Sequence, residues 1–382
     1  MVPDGRPWRD LRPRPQPTRR LQTAMNEQAV NLDRYPAYLY DLSGLETHIR
    51  QIRATLDGTE LFYAAKANPD AEILRTLAPH VDGIEVASGG ELAHVQETLF
   101  DARIAFGGPG KTDEELSQAI KVDRIHVESP SELARLAALG SADILLRANL
   151  PLSTPNAALA MSGPFGMDED ALTECARLLE DNPHITLRGV HAHLASGLDA
   201  PTMLDLAHQI ADWALPWLKS LGVDDPELNV GGGMAVDYTS PQSRFDWTLY
   251  GTGLTHIPAT VRIEPGRAMT AYHGWYVTDV LDVKTTHGDT YVILRGGTHH
   301  LRTPVTKGHN QPFTVLTASG LESPATLVGQ LCTPKDVFAR NVPVPPLSRG
   351  DVIAFTMAGA YAWNISHHDF LMHPKPAFHY LR

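Results

Sequence analysis

The chain has 382 residues and a mass of 41.8 kDa, with 43% hydrophobic and 20% charged residues, an ordinary globular composition that excludes extended disorder. Its net charge of −12 and pI of about 5.8 argue against a nucleic-acid or anionic-membrane binder. Two cysteines, Cys175 and Cys332, exclude a disulfide scaffold or a cysteine-rich metal module and suit a cytoplasmic protein; no apolar run reaches the roughly 18 residues that span a bilayer.

Residues 1–20 carry six arginines against Asp4 and Asp10, with prolines between them, so most of the negative charge lies beyond this segment. No apolar stretch follows Arg19 and Arg20, so it is not read as a secretory signal. Residues 1–28 are expected to be a disordered basic, proline-rich tail.

Short apolar, β-branched runs then recur: ELFYAAKAN from 60, HVDGIEVA from 80, RIAFGG from 103, RIHVES from 124, DILLRAN from 143, LRGVHAHL from 187, ELNVGGG from 227 and TVRIEPG from 260. The sequence between them has helical periodicity, as in DAEILRTLAPH and SPSELARLAAL, where Ser129 and Ser131 are alternative helix caps. Eight β–α units in series predict an α/β fold, a (β/α)8 TIM barrel over residues 44–267, with an open doubly wound sheet as the alternative. After residue 268 strand-like runs follow without helical patterns between them. Residues 268–382, with YPAYLYDL at 35–42 within residues 29–43, are expected to form an antiparallel β domain.

Reacting groups of a barrel sit where strands end. Lys66 follows the first strand, His191, His193 and Ser196 the sixth, Gly231, Gly232 and Gly233 the seventh, and Glu264, Gly266 and Arg267 the eighth. Glycines let backbone amides approach an anion closely, and an arginine adds charge. A phosphate cradle, a lysine in an apolar setting and a carboxylate are the parts a pyridoxal 5'-phosphate site needs. By contrast, GGPGKT at 107–112 has alanine at position 105 where a nucleotide-binding loop needs glycine, so no nucleotide site is expected.

From about residue 36 to the end, the chain resembles the fold-type III pyridoxal-phosphate decarboxylases, the group of diaminopimelate and ornithine decarboxylases. The resemblance rests on seven motifs in order: FYAAKAN (62–68), EVASGGEL (85–92), GVHAHLASG (189–197), NVGGGMAVDY (229–238), EPGR (264–267), GQLCTPKDVFAR (329–340) and MAGAYAWNIS (357–366). Ala195 stands where the family has glycine. The fold implied is the alanine-racemase-like barrel with a C-terminal antiparallel β-barrel domain. The resemblance also implies roles. Lys66 would bond the cofactor, His193 would stack on its ring, and Ser196, Gly231–Gly233, Gly266, Arg267 and Tyr361 would hold its phosphate. Glu264 would pair with the ring nitrogen, Arg147 would support Lys66 or its neighbours, and Cys332 would return a proton to the substrate. In this family the cysteine segment enters the partner subunit's site, which implies a homodimer with shared active sites.

The departures bear on the substrate. Where diaminopimelate and ornithine decarboxylases carry an acid after the cysteine, this chain has Thr333, followed by Pro334 and Lys335. A neutral residue cannot pair with a distal ammonium. His299, His300 and Arg302, with Thr333 and Lys335, are expected to contact the substrate, and their positive groups would suit an anionic tail. GGTHH, CTPKDVFAR and NISHHDFLMHPKP resemble the siderophore branch, which includes a decarboxylase of citryl-diaminopropionate in staphyloferrin B assembly. The expected activity is pyridoxal-phosphate-dependent decarboxylation of such an amino acid. The alternatives are a diaminopimelate or other diamino-acid decarboxylase, an amino-acid racemase, and a non-catalytic relative. No metal site is expected at His299–His300 or His367–His368, since neighbouring residues of a strand point to opposite faces.

Overall fold

The computed structural model describes residues 25–152, 157–161, 163–302 and 309–382; residues 1–24 of the expected tail lie outside them. Strands β2 (Glu60–Ala64), β3 (Gly83–Val86), β4 (Ile104–Phe106), β5 (Arg124–Val127), β6 (Ala142–Arg147), β8 (Ile185–His191), β10 (Glu227–Asn229) and β11 (Thr260–Ile263) pair in parallel and close into a barrel. These are the eight runs picked out by apolar patterning. A two-stranded ribbon, β7 (Leu159–Ala160) with β9 (Ala195–Ser196), lies at the rim.

Local signals set the helix starts. Ser129 caps Pro130–Leu139 by accepting from the Glu132 amide, so of the two serines Ser129 is the cap. Thr112 and Glu115 form a reciprocal capping box at Asp113–Ala119. Lys111, in the GGPGKT run, is buried. Its Nζ donates to the carbonyls of Gly108 and His126 and, at 2.8 Å, to the Glu132 carboxylate, so it ties strands β4 and β5 together and its charge is taken up within the protein rather than by a nucleotide phosphate.

The second sheet holds β12 (Gly274–Thr286), β13 (Asp289–Leu294), β14 (Phe313–Val315), β15 (Ser323–Val328), β16 (Val337–Val344) and β17 (Val352–Phe355). It also holds β1 (Ala37–Asp41), which runs antiparallel to β12 and parallel to β18 (Ala377–Leu381), so the segment around residue 40 does belong here. The sheet is mostly antiparallel, and β13 with β15 is a second parallel pair. One correction concerns the tail. Residues 25–30 are helical, and Met25 and Ala29 are buried against Trp275, Val352 and Ala354, so order begins before the expected boundary at 28. Among the described residues no helix is long and apolar enough to cross a membrane.

Candidate active site

The chain leaves β2 through a short 3₁₀ turn, Ala65–Ala67, which presents Lys66 at the rim. The Lys66 Nζ donates to both Glu85 oxygens, at 2.8 and 2.7 Å. The lysine side chain is 45% accessible and that of Glu85 5%, so Lys66 opens towards the rim rather than lying buried as its apolar neighbours in sequence implied. Its surroundings oppose the charge, but Glu85, with Tyr361 and Glu264 nearby, outweighs them and raises the lysine pKa. Burial pushes the Glu85 carboxyl upward. Sequence reasoning gave Glu85 no role. Its signal was register: Glu85 sits directly opposite Ala64, the last residue of the lysine strand.

Glu264 forms the floor. Its Oε1 accepts from Asn229 Nδ2 at 2.6 Å. The rings of His126 and His191 stack 4.2 Å apart behind it, with Nε2 atoms 3.7 and 3.4 Å from its oxygens. Burial pushes both imidazole pKa values well down; for His191, Arg147, His193, Lys66 and Lys111 push in the same direction. Two imidazoles and a carboxylate with ligand atoms within 4.8 Å of one another have the composition of a zinc site. The cationic neighbours that keep His191 neutral also oppose a divalent ion there.

The glycine turn above this floor has no room for side chains. A Cβ on Gly231 (φ +72°) would sit 2.6 Å from His193 Cβ, one on Gly232 2.2 Å from the Glu264 carbonyl oxygen, and one on Gly233 (φ +106°) 2.4 Å from the Ala195 carbonyl oxygen. Gly266 is equally tight, with Ala67 Cβ at 2.8 Å. Burial, helped by Lys66 and Arg147, pushes His193 down to about 4, so its ring is neutral at physiological pH, and Ser196 Oγ lies 3.4 Å from its Nε2. His193 Nδ1 is buried without a protein partner. A side-chain-free cradle beside an accessible lysine and a floor carboxylate fits pyridoxal phosphate.

The β domain closes the site from above. Tyr361, at φ +49°, donates its amide to the Ala67 carbonyl at 2.7 Å, and Asn364 Nδ2 donates to the Lys66 carbonyl at 2.7 Å. Asn364 had no assigned role either. Arg267 lies 4.4 Å over the Tyr361 ring and donates to the Tyr238 hydroxyl at 2.8 Å. Arg147 is not a contact of Lys66. It pairs with buried Glu128 at 2.6 Å, and Glu128 also accepts from the Gly108 and Gly166 amides.

Arg267, Arg302, His309, Tyr238 and Tyr361 line a cavity of about 130 Å³. His299 and His300 do not supply the positive charge expected of them. They lie in a turn rather than a strand, are 0% and 1% exposed, and their ring centroids are 3.8 Å apart. Burial and the neighbouring histidines push His299 down to about 4 and His300 to about 3. Among the described residues these histidines do not converge with His367 and His368 as a ligand group.

Because the unfolded imidazoles titrate near 6.5, the unfolded chain binds more protons than the folded one between about pH 6.5 and 4. The stability these residues contribute is complete above that window and is lost as pH falls through it. In urea melts at stepped pH, His299→Gln/His300→Gln should flatten the acid slope by up to roughly 2.7 kcal/mol per pH unit. An unchanged slope would show that the pair titrates alike in both states.

Cys332 is exposed, in a turn that Asp336 organises from inside: its carboxylate accepts from the amides of Thr298 at 2.6 Å and Leu331 at 2.8 Å. Thr333 is half-buried and Lys335 exposed on the same turn. The contacts of Lys66 within its own chain do not include Cys332.

Comparison with known proteins fits this arrangement. Residues 42–271 match the family described as pyridoxal-dependent decarboxylase, pyridoxal binding domain. The chain is 42% identical to the 2-[(L-alanin-3-ylcarbamoyl)methyl]-2-hydroxybutanedioate decarboxylase of Staphylococcus aureus, over 90% of this chain and 93% of that one. It is 31% identical to a diaminopimelate decarboxylase of Actinosynnema pretiosum, over 85% and 79% of the two chains. Among solved structures, Helicobacter pylori diaminopimelate decarboxylase complexed with L-lysine superposes with a TM-score of 0.85 at 26% identity, covering 93% of this chain and 94% of that one. With the barrel, the lysine at its rim and the glycine cradle, these matches show that the chain belongs to the pyridoxal-dependent decarboxylases and is a pyridoxal-phosphate-dependent carboxy-lyase.

Proposed function

We propose that this chain removes the α-carboxylate of an amino acid whose far end carries carboxylates, a compound of the citryl-diaminopropionate class used in siderophore assembly. The name of the 42%-identical relative describes an alanine unit joined through an amide to a hydroxy-dicarboxylate. The observation that carries the substrate class is Thr333, which leaves the cysteine turn without an acid for a distal ammonium, while Arg302 lines the cavity next to the phosphate-holding Arg267 and Tyr361 and adds positive charge there. A diaminopimelate-type substrate is the second reading, favoured by the 31%-identical relative.

Bound pyridoxal phosphate supplies an electron-accepting ring for the electron pair left when carbon dioxide departs. Lys66 holds the cofactor covalently, and Glu85, 2.7–2.8 Å from its Nζ, takes up the proton the ammonium must lose. Glu264 holds a proton on the ring nitrogen. His193, kept neutral, would face the cofactor ring without adding charge. Ser196, Gly231–Gly233, Gly266, Arg267 and Tyr361 hold the phosphate end. Cys332 reaches this centre from a second copy of the chain and returns a proton to the α-carbon; its exposure on a turn rigidly tied to Asp336 supports that role. The active unit is therefore a homodimer with shared sites.

The test is carbon dioxide release by the cofactor-loaded protein from citryl-diaminopropionate, meso-diaminopimelate, ornithine, lysine and arginine. Turnover of the citryl compound alone is expected. Arg302→Ala should raise its KM by roughly ten- to a hundredfold with a smaller change in kcat, the cost of losing one charge-assisted contact. Efficient turnover of a diamino acid would overturn the substrate assignment.

A further inference from the structure

Asn229 is the last residue of β10 and is fully buried. Its side-chain amide is used at both ends. The Gly231 amide can only donate, so it fixes Oδ1 as the atom 2.9 Å away. That leaves Nδ2 facing the Glu264 carboxylate, which accepts at 2.6 Å. One planar group thus spans the floor carboxylate and the first residue of the glycine turn. Behind it, His126 Nε2 lies 3.5 Å from Nδ2, and the His126–His191 stack closes the space into which the Glu264 carboxylate could otherwise swing.

We infer that Asn229 is a positioning residue that couples the two ends of the cofactor site, aiming Glu264 at the ring nitrogen while pinning the Gly231 amide and so fixing the start of the glycine turn that forms the phosphate cradle. The inference rests on the reading of Glu264 and Gly231–Gly233 as cofactor-holding residues. It gives the coupling a chemical asymmetry. An aspartate at 229 keeps an oxygen for the Gly231 amide but places a second carboxylate against Glu264. Two carboxylates at that distance share a proton, so Glu264 no longer presents a full charge to the ring. An alanine removes both contacts.

The experiment measures two dissociation constants on cofactor-stripped full-length protein, one for pyridoxal phosphate and one for inorganic phosphate. Asn229→Asp should weaken pyridoxal phosphate by about ten- to a hundredfold and leave inorganic phosphate within about twofold of wild type. Asn229→Ala should weaken both. A residue with a merely structural role would not separate the two ligands. Glu264→Gln serves as the control. If it leaves cofactor affinity unchanged, the reading of the floor carboxylate fails. If it weakens the cofactor while Asn229→Asp does not, the coupling through Asn229 fails. Equal loss of both ligands in Asn229→Asp would also overturn it. The near-isosteric aspartate keeps the test available if the alanine variant does not fold.

Discussion

Lys66→Ala is expected to lower decarboxylation by roughly 10³-fold or more, the scale of losing a covalent nucleophile, and to abolish the visible absorbance of lysine-bound cofactor. Nothing else described at the rim can take its place. Lys111, which lies towards the same end of the barrel, is locked to two carbonyls and Glu132 below the surface. The same variant tests the dimer. Cys332→Ser alone should also be impaired. Mixing the two inactive chains in equal amounts, with subunit exchange, gives half mixed dimers. If Cys332 serves the partner's Lys66, each mixed dimer has one intact site, and activity returns to about a quarter of wild type. If both residues served one site within a chain, mixing would restore nothing. Arginine at position 66 should not rescue, since a guanidinium is never deprotonated and cannot bond the cofactor aldehyde.

Arg262→Leu is expected to destabilise the barrel by about 3–5 kcal/mol while sparing the active site at permissive temperature. Arg262 is 1% exposed at the end of the barrel opposite Lys66. Its guanidinium lies 4.1 Å over the Phe62 ring, binds Glu60 at 2.6 and 2.8 Å, and reaches Asp123 at 3.1 Å and Glu227 at 3.8 Å. Arg103 and Arg124 complete the ring from outside: Arg103 pairs with Glu60 and Asp123, and Arg124 with Glu227. Removing the central cation leaves three carboxylates converging on an apolar side chain. Burial opposes the charge on Glu60 and Asp123, yet the arginines hold both carboxyls below their usual range. Such a group contributes stability above its unfolded pKa near 4 and loses it as pH falls through the folded value. The deficit of Arg262→Leu should therefore be largest near neutrality and shrink below about pH 4. Denaturant melts at both pH values test this, and a variant as stable as wild type at pH 7 would refute it.

The eight barrel strands were legible because each contains a short, largely buried apolar run and consecutive runs are separated by sequence with helical periodicity. That pattern leaves a parallel, helix-covered sheet as the economical arrangement. The lysine, glycine and carboxylate positions were legible for a related reason: they follow those runs directly, and strand ends form the rim. Residues that act across strands were not. Glu85, Asn229 and Asn364 each meet the site through a neighbour distant in sequence, and nothing in their own local pattern marks that contact.

The sequence by itself determined the strand and helix inventory, the order of the site motifs and the absence of an acid after Cys332, because these depend on residue type and spacing along the chain. Only the tertiary structure decided that the lysine opens to the rim beside Glu85 and that Arg147 pairs with Glu128. It likewise decided that His299 and His300 are neutral and buried while Arg267 and Arg302 line the cavity. Whether a basic side chain carries charge depends on how much water it keeps and which groups fold against it, and both are set by packing rather than by local sequence.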